Sequence, residues 1–133
     1  MYYIKFIMKN NILKLIEYVY YLSLFLLFAL YLFPGSLIGF LLHGDMSREL
    51  NLVDNPIGTS INHFFYFVYL TILASVCSSR KKIFFNNFYF IFLLSIILES
   101  SHLVIPNRAF ELNDLFANIA GVVTIIMIKK ILK

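Results

Sequence analysis

The sequence has 133 residues, of which 61% are hydrophobic and 18% aromatic, and its net charge is +4. A soluble domain of this size cannot bury so much apolar surface, so the composition argues against a soluble globular protein. The chain has room for one membrane domain of about four spanning helices, at roughly 20 residues per span, and no room for a second, soluble domain.

Four apolar segments follow one another along the chain. They predict spanning helices at about residues 12–33, 60–76, 83–105 and 112–128. Pro34-Gly35 ends the first segment and Pro106 the third, because proline cannot continue helical hydrogen bonding. The first segment is too long for a signal peptide and no small-residue cleavage site follows it, so we expect a retained anchor. The predicted fold is all-α, a small four-helix membrane bundle forming a single domain over residues 1–133.

The longest connection, residues 34–59, is predicted to be an outer loop. Its apolar run 37–42 is too short to span a membrane and could lie in the interface or re-enter the bilayer. His43 and Asp45 in this loop lack a recognisable metal-ligand spacing. Because the sequence also has no cysteine–histidine motif, we predict no metal site and no cofactor.

The basic residues predict an orientation. Of the 11 lysines and arginines, nine flank the N-terminus, the loop after the second segment or the C-terminus, and the other two are Arg48 and Arg108. Since positively charged loops stay in the cytoplasm, we predict a multi-pass protein of the cell membrane with both termini cytoplasmic. The same residues flank spans instead of lining one soluble face, so we predict no nucleic-acid partner.

A polar cluster lies between the third and fourth segments, at the end predicted to face outward. Glu99 lies seven residues before Pro106, about 10 Å below the predicted end of its helix. A lone carboxylate at that depth is costly unless it is neutral, paired or next to water. His102 follows at i+3 and shares the helical face of Glu99.

The fourth segment contributes a second polar face. Asp114, Asn118 and Gly121 recur at i, i+4 and i+7, which places them on one side of a helix. Gly121 allows a neighbouring helix to approach closely. Arg108, in the preceding connection, could reach Asp114 or Glu111, or it could bind an external phosphate or carboxylate.

His63, which opens the second segment, lies at the same predicted depth as this cluster. A structural interpretation stays open, in which the polar groups cap helices, complement helix dipoles and form an Arg–Asp clasp across a tight turn. Buried Glu99 fits that interpretation least well, so a functional site is favoured. Its candidate catalytic residues are Glu99, His63 and His102, and its candidate ligand-binding residues are Arg108, Asp114 and Asn118.

These motifs also carry a resemblance. Glu99-x-x-His102, Pro106-x-Arg108-x-Phe110 and Asp114-x-x-x-Asn118-x-x-Gly121 resemble the C-terminal half of VanZ-like membrane proteins, whose pattern is similar to E-x-x-Q, P-x-R and D-x-x-x-N-x-x-G. His63, before a run of aromatics, is similar to that family's D-K-x-x-H segment. The resemblance covers roughly residues 60–128. His102 stands where the family commonly has glutamine, and Thr59-Ser60 where it has Asp-Lys.

The resemblance implies an integral protein of the cell envelope with a role in reduced susceptibility to teicoplanin-type glycopeptide antibiotics. Besides the lipid bilayer, the expected partner is a lipid-linked or cell-wall glycan precursor that is bound or modified. Arg108 would hold an anionic group and Glu99 would act as acid, base or hydrogen-bond anchor, while catalysis itself stays open.

Two other functions are considered. One is a non-enzymatic membrane scaffold or assembly subunit whose polar cluster docks another protein, of unknown identity. The other is a small transporter or proton channel, which is less favoured because no acidic residue lies clearly in mid-membrane.

Overall fold

The computed structural model describes residues 2–48, 58–80 and 83–132. Within these ranges the chain forms five α-helices and no strand, so the all-α prediction is confirmed. The helices are α1 (Tyr2–Leu32), α2 (Leu37–His43), α3 (Gly58–Arg80), α4 (Phe88–Ser101) and α5 (Leu112–Ile131). A 3-10 turn, Phe84–Asn86, precedes α4.

Two helices in the described part of the chain are long and apolar enough to cross a membrane. They are Asn10–Leu32 within α1 and Ser60–Ser79 within α3, and they nearly coincide with the predicted segments 12–33 and 60–76. The helix α4 is apolar but has only 14 residues, fewer than the roughly 20 that a span needs. The helix α5 covers the predicted segment 112–128, and the presence of four spans stays a prediction.

The third helix is shorter than the predicted segment 83–105, and the reason is local. At its start, the Asn87 side chain accepts a hydrogen bond from the backbone N–H of Tyr89 and caps the helix. At its end, the amides of His102, Leu103 and Val104 bond carbonyls three residues back, which tightens the chain into turns. Glu99 therefore lies in the last turn of α4, and its predicted position about 10 Å below the helix end is wrong.

The four longer helices alternate in direction. The C-terminal ends of α1 and α4 meet the N-terminal ends of α3 and α5, and we call this the polar end, where Tyr31 lies 2.8 Å from His63. At the opposite end, which we call the basic end, Lys129 Nζ of α5 donates a hydrogen bond to Ser75 of α3 (3.0 Å) and lies 4.7 Å from the ring centroid of Phe88 of α4.

The interior between the two ends is apolar. Its buried side chains, one row from each long helix, include Tyr20, Leu24, Leu27, Phe67, Leu70, Ile91, Leu94, Leu98 and Val122. The most extensive helix contact is between α3 and α5. A Cβ at Gly121 would lie 2.6 Å from the carbonyl oxygen of Phe64 and 3.0 Å from Cβ of Phe67, so the predicted close approach at this glycine is confirmed.

Candidate functional site

Glu99 occupies the centre of the polar end. Its side chain is fully buried, at 0% exposure. Oε1 accepts a hydrogen bond from the backbone N–H of Glu111 (3.3 Å) and lies 3.3 Å from Nδ1 of His102. Oε2 has no hydrogen-bond partner among the described residues and lies 3.8 Å from Nδ1 of His63. One carboxylate oxygen is thus held in place while the other is unpaired.

His63 lies between Glu99 and a second carboxylate. Its Nε2 is 3.6 Å from Oδ2 of Asp114. The other oxygen of Asp114, Oδ1, accepts a hydrogen bond from the Ser60 hydroxyl at 2.5 Å. Ser60 and His63 both lie in the first turns of α3, and Asp114 lies in the first turn of α5. The close packing of these two helices therefore brings the three side chains together.

Tyr31, near the end of α1, connects His63 to Asn118. Its hydroxyl donates to Oδ1 of Asn118 (2.9 Å) and is 2.8 Å from Nδ1 of His63. Nδ2 of Asn118 donates to the carbonyl of Ser95 (3.4 Å), which fixes the orientation of the amide. Because the hydroxyl has one proton and gives it to Asn118, Nδ1 of His63 must be the donor toward Tyr31. In the neutral ring, Nε2 then presents its lone pair toward Asp114.

His102 is held by Tyr31 from the other side. Its ring stacks on that of Tyr31, with centroids 5.3 Å apart and planes 20° from parallel, and its Nε2 is 3.2 Å from the Tyr31 carbonyl oxygen. That carbonyl and the Glu99 carboxylate are both acceptors. Both ring nitrogens of His102 therefore face oxygen atoms of neighbouring groups.

Arg108 is directed toward the end of α1. Its Nη2 donates to the carbonyl of Leu30 at 2.5 Å and its Nε donates to the carbonyl of Phe33 at 3.3 Å. The last carbonyls of a helix have no partner within the helix, so the guanidinium caps α1. Asp114, one of the two carboxylates that Arg108 could have reached, receives the Ser60 hydroxyl.

A cavity of about 760 Å³ opens beside this network. Its lining includes polar and ionisable residues, namely Tyr31, Ser36, Asn62, His63, His102, Arg108, Glu111 and Asp114. Apolar and aromatic residues make up the remainder, among them Leu27, Leu30, Leu37, Ile38, Phe65, Tyr66 and Tyr69. Glu99 lies outside this lining, in contact with both histidines that face the cavity.

The short helix α2 forms one wall of the cavity, through Leu37 and Ile38. Ser36 caps it by accepting a hydrogen bond from the backbone N–H of Gly39 at 3.0 Å. In the turn that follows, the amide and hydroxyl of Ser47 both donate to Asp45 and lower the pKa of that exposed carboxyl. Residues 49–57 of the predicted outer loop lie outside the described residues.

The structure brings the predicted site residues together, while their catalytic or binding roles stay predictions. His63, Glu99, His102, Asp114 and Asn118 form one network, and Arg108 lines the adjoining cavity.

Sequence reasoning missed Tyr31, Ser60 and Ser95. A signal existed for the tyrosine, because Tyr20, Leu24, Leu27 and Tyr31 recur at helical spacing on one buried face, with Tyr31 as its polar member.

One comparison with known proteins identifies a family. A family model described as VanZ/LLP1 matches residues 4–133, nearly the whole chain. The chain therefore belongs to the VanZ/LLP1 family, and the match extends the resemblance seen over residues 60–128 to the first helix. No curated protein and no solved structure matches the chain.

Proposed function

Starting from membership of the VanZ/LLP1 family, we propose that this chain is a multi-pass membrane protein of the cell envelope that binds or modifies an anionic, lipid-linked glycan precursor. The ligand occupies the cavity at the polar end, and this lowers susceptibility to teicoplanin-type antibiotics. The observation that carries the proposal is the mixed lining of the cavity, which combines ionisable side chains with many apolar ones.

The outer surface of the bundle supports a membrane location. Every long helix presents large apolar side chains outward, for example Phe25 on α1 (68% exposed), Ile97 on α4 (60%) and Phe116 on α5 (64%). A soluble monomer does not expose apolar faces on all sides. In a bilayer the same faces contact acyl chains, and the helices satisfy their own backbone hydrogen bonds.

The arrangement of charges supports the orientation. Lys129 and Lys130 lie at the basic end, and because the helices alternate in direction, α1 runs from that end toward the polar end. Basic segments stay in the cytoplasm. We therefore propose four membrane-associated helices with both termini cytoplasmic and the polar cavity facing outward.

The cavity lining matches the two parts of a lipid-linked molecule. Leu27, Leu30 and Ile38 offer apolar contact to a hydrocarbon chain. Arg108 uses two of its five N–H groups on α1 and can offer others to a phosphate or carboxylate. Ligand cavities commonly have this form, with an apolar lining and a few polar groups that fix orientation.

Glu99 acts in this proposal through the two histidines. It contacts Nδ1 of His102 at 3.3 Å and lies near Nδ1 of His63, and both rings face the cavity. The carboxylate therefore orients the His102 ring beside the cavity, and it can exchange a proton with that ring.

Glu99→Gln tests this function. The amide keeps the shape of the side chain but cannot supply a carboxylate to His63 and His102, so we expect teicoplanin susceptibility to return to the level of cells without the protein. Membrane abundance of each variant is measured in the same cultures. Asp45→Asn, which changes an exposed acid outside the network, is the matched control and retains the wild-type effect. A Glu99→Gln protein that is present at normal abundance and protects like the wild type would contradict the proposal.

A further inference from the structure

We propose that His63, Glu99 and Asp114 form a binding site for a divalent transition-metal ion, with Zn²⁺ the best match. Each residue offers one ligand atom, and these atoms all lie within 4.8 Å of one another. Metal–ligand bonds of about 2.0–2.2 Å place neighbouring ligand atoms roughly 3–4 Å apart. The 3.6 Å between Nε2 of His63 and Oδ2 of Asp114 falls in that range.

The unpaired oxygen of Glu99 is an independent sign of a missing partner. Oε2 is buried and has no hydrogen-bond partner among the described residues, and Glu99 offers a ligand atom within 4.8 Å of those of His63 and Asp114. A buried carboxylate oxygen without a donor is costly. A bound cation would supply this oxygen with the partner that no N–H or O–H group among the described residues provides.

The hydrogen bonds around the three residues leave the ligand atoms available. Nδ1 of His63 is committed to Tyr31, which leaves Nε2 free to coordinate. Ser60 holds Oδ1 of Asp114, and Glu111 and His102 hold Oε1 of Glu99. In each potential ligand residue, a neighbour therefore holds the polar atom that would not bind the metal. Outer-shell groups orient the ligands of protein metal sites in the same way.

The donor set indicates the class of metal. One imidazole nitrogen and two carboxylate oxygens suit Zn²⁺ or Mn²⁺, whereas Ca²⁺ and Mg²⁺ favour oxygen-only sets. His63 and Asp114 also line the cavity, so a fourth position would open toward it, as in zinc sites that exchange a water for another ligand. The ligands come from three different helices, α3, α4 and α5. For this reason no local spacing in the sequence indicates the site.

The wild-type protein itself gives the first test. The full chain is purified in lipid nanodiscs, treated with a chelator, desalted and titrated with Zn²⁺, with no envelope lipid added. We expect one equivalent of Zn²⁺ per chain by calorimetry and by elemental analysis after desalting. Substitution by Co²⁺ should give the visible absorption of a low-coordinate nitrogen–oxygen site. A wild-type chain that takes up no Zn²⁺ and gives no Co²⁺ spectrum overturns the proposal.

Matched variants locate the site. Asp114→Asn and His63→Asn should each weaken Zn²⁺ binding by about 100-fold or more, since loss of an outer-shell group alone costs 10–100-fold. His43→Asn and Asp45→Asn remove an exposed imidazole and an exposed carboxylate elsewhere and should bind as the wild type does. Equal Zn²⁺ binding by folded Asp114→Asn and His63→Asn proteins overturns the proposed ligands. Because the titration uses the metal alone, failure to bind an envelope ligand leaves this result unaffected.

Discussion

At the scale of a residue, Tyr31 connects three polar side chains of the candidate site. Its hydroxyl and ring contact His63 of α3, His102 of the turn after α4 and Asn118 of α5. Glu99 could be predicted from the sequence, because a carboxylate in an apolar segment has few structural explanations. Tyr31 could not, because a tyrosine near the end of an apolar helix is also typical of a membrane interface.

Tyr31→Phe should destabilise the bundle by about 1–3 kcal/mol. The change removes only the hydroxyl and leaves Oδ1 of buried Asn118 without its donor, and an unsatisfied buried polar group costs that much. Unfolding of the purified protein in detergent, followed by circular dichroism, measures the difference. Tyr18→Phe is the matched control, since Tyr18 is 72% exposed on the same helix. If both variants were equally stable, the hydrogen bonds of the Tyr31 hydroxyl would add nothing to the stability of the bundle.

At the scale of elements, the ends of helices were harder to predict than their existence. Apolar periodicity and length located α1, α3 and α5, but the third segment continues as apolar turns after Ser101 without remaining helical. The sequence 102–105 is apolar apart from His102, so composition alone gives no stop before Pro106. At this point His102 contacts Glu99, three residues back, and the backbone carbonyl of Tyr31 on α1, and these contacts hold the chain in turns.

Gly121→Ala should separate α3 from α5. The added methyl would lie 2.6 Å from the Phe64 carbonyl oxygen, and forcing an extra carbon into a packed core typically costs about 1–3 kcal/mol. The helix shift would also move Ser60 from Asp114, so a lower unfolding midpoint and weaker antibiotic protection are expected together. Ala120→Ser, which adds one atom on an exposed neighbouring position, is the control. An unchanged midpoint for Gly121→Ala would mean that the two helices are not packed this closely.

At the scale of the whole molecule, the alternating helices separate two chemical environments. The polar end collects the histidines, Glu99 and Asp114, and the basic end carries Lys129 and Lys130. The distribution of lysines and arginines along the sequence was enough to predict this separation. It did not predict the cavity, because the wall formed by α2 depends on how residues 37–43 fold back onto α1.

Cysteine labelling in intact cells tests the orientation. Cys77 is buried and is the only native cysteine, so Cys77→Ala gives a background for single cysteines at the exposed positions Ser47 and Lys130. A membrane-impermeant maleimide should label Ser47→Cys in intact cells and Lys130→Cys only after the membrane is opened. The reverse pattern would place the polar cavity on the cytoplasmic side.

The most direct test of the account asks whether the cavity holds the lipid-linked ligand. Ala109 lines the cavity and is exposed, so Ala109→Trp should fill part of the cavity without disturbing the core. Val104 is 83% exposed in the preceding turn, and Val104→Trp adds the same ring outside the cavity.

Native mass spectrometry of nanodisc-released protein mixed with a lipid-linked glycan precursor then counts bound molecules. We predict one molecule bound to the wild type and to Val104→Trp, and none to Ala109→Trp. Equal binding by both tryptophan variants, or none by the wild type, would contradict the account.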